Sequence, residues 1–370
     1  MMKKFISILL LLATLLSCFM VACGKPDDDG DGEIPDVPEE PVHANEYVCV
    51  RGTDDLVYRK VVDEGITYLE LGMYPQTRVD DPEILSGLSI YATELPTATD
   101  FKGWTSQELP NEYDMKAELK EDWSFIKDVK YQGEYYRAMY FTELRWYNPG
   151  SITIPGQGMW GTVQQKKGYT PNNVYWFKYE PIRWQIMYDL YGEMFLMCNN
   201  VIDSNYWGYD GVNISNRYDT STMRTFLNDT FLYYAFTKAE REKIIQATVY
   251  NDANSNCGSS NVVCPDTFDK VALPSMADLT TYFENNIIKA GSLGEDPNRC
   301  LRGTDYANCQ GTYKASQEDD YVCNYWTRSP GPNARTVVYV GGAKGVTDGS
   351  QIASCLMGVV PTMYVQSIQQ

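Results

Sequence analysis

The apolar N-terminal run, closed by Met20-Val21-Ala22-Cys23, takes the first 22 residues out of anything this chain folds. Lys3 and Lys4 precede Phe5–Leu16, and small residues precede a cysteine, which is the pattern of a secretory leader with a lipidation site rather than of a folded element. The organisation expected is a signal peptide over 1–22, a lipidated cysteine and tether over 23–45, and a single domain over 46–370. A second box, Leu15-Leu16-Ser17-Cys18, would leave the apolar Phe19 and Met20 at the start of the mature chain, whereas Cys23 leaves Gly24 and Lys25. The remaining alternative is an uncleaved helix, since Phe5–Ala22 just reaches the length of a bilayer span. Each alternative puts the rest of the chain outside the cytoplasm. A diacylglycerol on Cys23, with palmitate-type chains, clears the two-chain threshold for stable membrane attachment.

Gly24–Asn45 reads as an extended spacer. It carries Asp27-Asp28-Asp29-Gly30-Asp31-Gly32-Glu33 and then Pro35, Pro38 and Pro41, with almost nothing to bury. Asp27, Asp29 and Asp31 match the opening of a calcium loop, but Pro38 occupies the twelfth position, where a bidentate glutamate is needed. The 31 basic residues include the leader's Lys3 and Lys4, so the mature chain has 29 against 49 acidic residues, a net charge of −20. Such a surface disfavours nucleic acid and anionic lipid as partners. Membrane contact is therefore expected through the lipid anchor alone.

Ten cysteines less Cys18 and Cys23 leave eight in the exported part, an even number in a compartment that permits disulfides. Cys257 with Cys264, and Cys300 with Cys309, lie in polar stretches that would close short loops. The one histidine, His43, is in the tether. The folded part therefore cannot run Ser-His-Asp or Cys-His catalysis or hold an HExxH zinc, and no metal or other cofactor is expected. Carboxylate chemistry and cysteine-based thiol or copper chemistry remain open.

Local patterns read as α+β with strands dominant. Strands are expected at Thr67–Tyr74, ending at Pro75, and at Val129–Tyr131 and Glu134–Tyr140 around Gln132-Gly133. Further strands are expected at Tyr175–Tyr188 and Glu193–Cys198 around Gly192, then at Thr336–Val340 and Gly358–Val365. Between them come short helices: Thr220 to Leu232; one opened by a Thr237/Glu240 capping box before Ile244-Ile245; and one opened by Ser275 and Asp278.

Four stretches then occur in a telling order: Tyr175-Trp176-Phe177-Lys178-Tyr179-Glu180-Pro181-Ile182-Arg183-Trp184, Met223-Arg224-Thr225-Phe226-Leu227-Asn228, Asp269-Lys270-Val271-Ala272-Leu273-Pro274-Ser275, and Trp326-Thr327-Arg328-Ser329-Pro330-Gly331. With Leu71–Thr77 upstream, the chain resembles a domain of unknown function, family 6273, frequent in bacterial surface proteins, over Gly65–Val365. The resemblance implies a C-type-lectin-like single domain of the kind shared with formylglycine-generating enzymes: a twisted antiparallel sheet, short helices and long loops. Fold alone implies little for activity. Val360 stands where the family usually has an arginine.

Trp176, Trp184 and Trp326 read as core aromatics, and Arg183 as a guanidinium satisfying carbonyls or a carboxylate. For ligand contact the candidates are Arg328, in a turn, and Tyr206, Trp207 and Tyr209 in Ser204-Asn205-Tyr206-Trp207-Gly208-Tyr209-Asp210, read as an exposed loop. The function expected is a cell-surface, lipid-anchored binding module for a glycan, peptide or envelope component, with no catalytic residue assigned. The alternative is an exported enzyme: a thiol- or copper-dependent oxidase using Cys323 and Cys355, or a two-carboxylate glycosidase.

Overall fold

Turn chemistry organises the N-terminal half. Gln132-Gly133 and Tyr191-Gly192 both sit at positive φ, +51° and +89° in the first and +56° and +84° in the second. That is the two-residue geometry that lets flanking strands twist together. The first turn joins β4 (Ser124–Tyr131) to β5 (Glu134–Phe141), and the second joins β6 (Val174–Leu190) to β7 (Glu193–Cys198). A third turn of this kind, Glu64-Gly65, joins β1 (Tyr58–Asp63) to β2 (Ile66–Arg78), and β3 (Thr105–Ser106) pairs with β4.

The computed structural model describes residues 49–52, 54–97, 100–107, 124–142, 144, 164, 167–208, 215–251, 264–283, 288–289, 292–293, 296–312, 322–342, 346–352 and 356–368. All of them fall in one compact unit, Tyr47–Gln370. The leader, Cys23, the tether, Tyr209, Cys257 and Cys355 lie outside the described residues. The later strands are β8 (Asp203–Tyr206), β9 (Ile244–Ile245), β10 (Ala247–Val249), β11 (Thr267–Asp269), β12 (Ile288–Lys289), β13 (Ser292–Leu293), β14 (Tyr325–Pro330), β15 (Thr336–Gly341), β16 (Val346–Ile352), β17 (Leu356–Val359) and β18 (Thr362–Gln366).

Nine strands form one sheet in the order β3-β4-β5-β6-β7-β18-β9, with β2 on the opposite edge of β6 and β1 beyond it. Five form a second sheet, β16-β15-β14-β17-β8, antiparallel except where β14 meets β17. Mostly antiparallel sheet with short helices makes the architecture α+β, as expected from sequence.

Strands β5 and β6 are buried on both faces. Met139, Phe141, Tyr175 and Phe177 join the main core, while Tyr136, Ala138, Tyr140 and Trp176 face a smaller one built with Leu88, Trp104 and Phe125. The period of two along each strand makes this division. Trp184 and Trp326 are fully buried and Trp176 nearly so, and the first two donate their indole N–H to the Leu71 and Asn205 carbonyls at 2.9 and 3.0 Å. Arg183 stays partly exposed and pairs with Asp63 at 2.6 Å and Glu70 at 3.3 Å. The most unusual core group is Arg137, fully buried in the Asp128 carboxylate fork and set against the rings of Tyr74, Tyr179, Tyr234 and Tyr306.

Four sequence expectations are corrected. β2 runs through Pro75, because its register with β6 shifts between Pro75 and Thr77 and the missing N–H is absorbed there. Ile244-Ile245 belongs to a strand against β18, and the capped helix before it is only Lys238–Arg241. Gly358–Val365 is two strands: β17 lies in the five-stranded sheet and β18 in the nine-stranded one, with Val360-Pro361 between them. Finally, no disulfide joins Cys300 to Cys309 or closes on Cys264. Cys309 is a fully buried thiol, and Cys264 donates to Asp219 Oδ1 at 3.2 Å. Burial pushes the Cys198 thiol up to about 12 and that of Cys264 up to about 11.

Candidate functional site

Two sequence motifs converge on the segment Asp269–Asp278, which carries a third. From the helix starting at Thr222, Arg224 grips Asp269 through Nε and Nη2 at 2.9 and 2.7 Å. One turn on, Asn228 accepts from the Lys270 and Val271 N–H groups and donates to the Val271 carbonyl. That helix, capped by Ser221, passes into a π-helical stretch at Phe226–Phe231, a rare departure that is frequent at functional sites. From the other side Arg328 donates through Nη1 to the Leu273 carbonyl at 2.5 Å and to Asp278 Oδ2 at 2.6 Å, while Ser329 Oγ accepts from the Met276 N–H. Thr362 of β18 completes the clamp by exchanging backbone hydrogen bonds with Ala272. The helix Met276–Tyr282 starts inside this clamp, with the expected Ser275/Asp278 capping box formed.

The clamped segment walls a cavity of about 290 Å³ together with β18, Phe195 of β7 and the Ala247–Asn251 stretch. Its volume lies near the low end for small-ligand sites. One wall is aromatic. Phe195 and Tyr364 lie 4.8 Å apart centroid to centroid and continue into Tyr282 and Tyr188 at 5.3 and 6.0 Å from Phe195. Burial, with Asp278 adding to it, pushes the Tyr282 hydroxyl up to about 12, and burial raises Tyr188 and Tyr364 too, so this tier is uncharged across the physiological range. The other walls carry Asp269, Lys270, Asp278 and Arg328. A second, more polar cavity of about 600 Å³ lies between β2, β6 and the helix Asp305–Cys309, lined by Glu70, Glu134, Glu180 and Asp305 among others.

Of the residues singled out for ligand contact, Arg328 lines the first cavity. Tyr206 and Trp207 do not, and the expectation of an exposed loop there is corrected. Asp203–Tyr206 is strand β8, paired with β17, and Trp207 is fully buried with its indole N–H on the Thr327 carbonyl at 2.7 Å. The polar Ser204 and Asn205 made the stretch look solvated, but strand pairing and side-chain contacts absorb them. Sequence reasoning missed Phe195, Asn251 and Tyr364. No local signal marks them, since each sits in a strand or beside one and the cavity forms only when distant segments meet.

The fold and its cavity define an α+β domain with a small pocket. Residues 191–367 match the family profile of a domain of unknown function, DUF6273. The match is shorter than the resemblance read from sequence: Leu71–Thr77 and Tyr175–Trp184 lie outside it, while the two clamping motifs, the segment they hold, and the aromatic wall's Phe195 and Tyr364 lie within it. No curated protein and no solved structure matches the chain.

Proposed function

We propose that this chain is an extracytoplasmic lipoprotein, held on the cell membrane through Cys23, whose folded unit is a non-catalytic binding module for a glycan, peptide or envelope component. The observation that carries the binding reading is the cavity where Phe195 and Tyr364 meet the Arg328–Asp278 pair, because apolar walls with a few fixed polar groups are the composition of ligand pockets. The C-type-lectin-like reading of the fold draws support from the small five-stranded sheet and the short helices that accompany it. The exported-enzyme alternative has one observation in its favour, the carboxylates Glu70, Glu134, Glu180 and Asp305 around the second cavity, which offer acid and base groups.

Anchoring is tested with Cys23→Ala. Metabolic labelling with an alkyne fatty acid is expected to mark the parent chain and leave the variant unmarked, whereas undiminished label would move the anchor to Cys18. Binding is tested by probing glycan and peptide arrays with the whole lipidated chain in detergent. Reproducible retention on either array supports the module, and turnover of an arrayed compound would replace it with the enzyme.

A further inference from the structure

We infer that the 290 Å³ cavity takes an uncharged, hydroxyl-rich group, of which a neutral sugar unit is the fitting chemistry; the inference rests on the binding-module reading above. Charge comes first. The four ionic side chains in the lining are two acids and two bases, and each acid already has its counter-ion: Asp269 has Arg224, and Asp278 has Arg328. Lys270 donates to the Arg241 carbonyl at 3.3 Å. A cation would be desolvated there with no unpaired acid to receive it, and an anion would meet only the partly exposed, water-screened ammonium of Lys270.

The polar atoms left over point the same way. Arg328 Nε is a buried donor and Asn251 Oδ1 a buried acceptor, and neither has a hydrogen-bond partner among the described residues, although both residues line the cavity. Beside them, Arg328 Nη1 is engaged as described, and Asn251 Nδ2 donates to the Pro265 carbonyl and Thr267 Oγ1. A carboxylate could meet only the donor and an ammonium only the acceptor. A hydroxyl is both donor and acceptor, so adjacent hydroxyls serve both atoms. Leaving such buried groups unmet costs stability that a ligand restores. Neither atom carries exposed surface, so contact involves a rotamer change of the kind common at binding sites. The uncharged face of a sugar ring then lies against Phe195 and Tyr364, which stay neutral.

The test uses the whole lipidated chain in detergent on an array of uncharged oligosaccharides, with acidic glycans and cationic and anionic peptides alongside. The parent and two variants are compared, each with its melting curve recorded. Ala277→Trp fills the cavity from an exposed lining position, and Arg328→Lys removes the Nε donor. Retention of uncharged oligosaccharides is expected, unchanged between roughly 0.05 and 0.5 M salt because no ion pair forms. It should weaken by about tenfold or more in both variants. If Arg328→Lys melts early, Ala277→Trp alone decides. Sugars bound equally well by Ala277→Trp would overturn the site. Retention of charged peptides or acidic glycans alone, fading with salt, would overturn the ligand class and leave the binding module standing. Silence on every array would overturn both.

Discussion

Glu240→Ala is expected to destabilise the folded unit by about 3–5 kcal/mol, the cost of leaving a buried charge without its partner. Glu240 and the Arg51 side chain have no exposed surface. Oε1 of Glu240 accepts from Arg51 Nη1 at 2.9 Å and from the Val57 N–H at 2.8 Å, and Oε2 accepts from Arg51 Nη2 and from the Thr237 N–H at 2.8 Å. One carboxylate therefore neutralises a buried guanidinium, closes the capping box of the helix Lys238–Arg241, and fastens the entering chain near Val57 onto that helix. Desolvation alone would lower the arginine's pKa, yet Arg51 is held above its ordinary value by the hydrogen bonds and charge of Glu240. Without Glu240, Arg51 would retain the Ala235 carbonyl and a long contact of 3.4 Å to the half-exposed Asp55. Denaturant unfolding measures the loss. The double variant Arg51→Met/Glu240→Leu should recover much of it, because no isolated charge remains. A Glu240→Ala chain within about 1 kcal/mol of the parent would show that the pair does not fasten this end.

What could be read from the residues alone was what local chemistry decides. Gln132-Gly133 and Gly192 marked hairpins because two positive-φ residues in a row suit few other structures. Thr237 and Ser275 marked helix starts because an orphan N–H at N3 needs a side-chain acceptor. Where a segment's fate depends on partners far along the chain, the reading failed. Gly358–Val365 has uniform strand composition, yet its halves pair with Ser204 on one sheet and Leu196 on the other. Cys300 and Cys309 had a spacing that allows a bridge, but Cys309 instead packs inside the short helix Asp305–Cys309, and Cys300 donates to the Asp296 carbonyl.

The motifs that carried the family resemblance were legible as motifs but not as a site. Each looked structural by itself, and each is: Arg224 and Asn228 hold 269–271, and Arg328 and Ser329 hold 273–278. Their common effect, a cavity wall fixed from both sides, appears only when the segments are brought together. Among the described ligand candidates, Arg328 lines the cavity, and its guanidinium also serves the clamp.

Trp207→Ala is the second large effect, an expected loss of about 3–5 kcal/mol, in the range of a buried large aromatic cut to alanine. Its indole is fully buried, its ring lies 6.2 Å from that of Tyr218, and its N–H is spent on Thr327 in the neighbouring strand β14. The carbonyl of the same residue accepts the Met223 N–H, so the side chain sits where the start of the clamping helix meets the five-stranded sheet. Truncation would remove packing at that junction and strand the Thr327 carbonyl, and the damage should spread to Arg224 and its grip on Asp269. Thermal and denaturant melts of Trp207→Ala, beside Trp184→Ala and Trp326→Ala, should therefore fall in one class. A Trp207→Ala chain that melts with the parent but no longer binds any ligand would return this residue to the recognition surface. A chain that loses stability first, and binding only in proportion to its unfolded fraction, assigns Trp207 to the scaffold that holds the cavity wall in place.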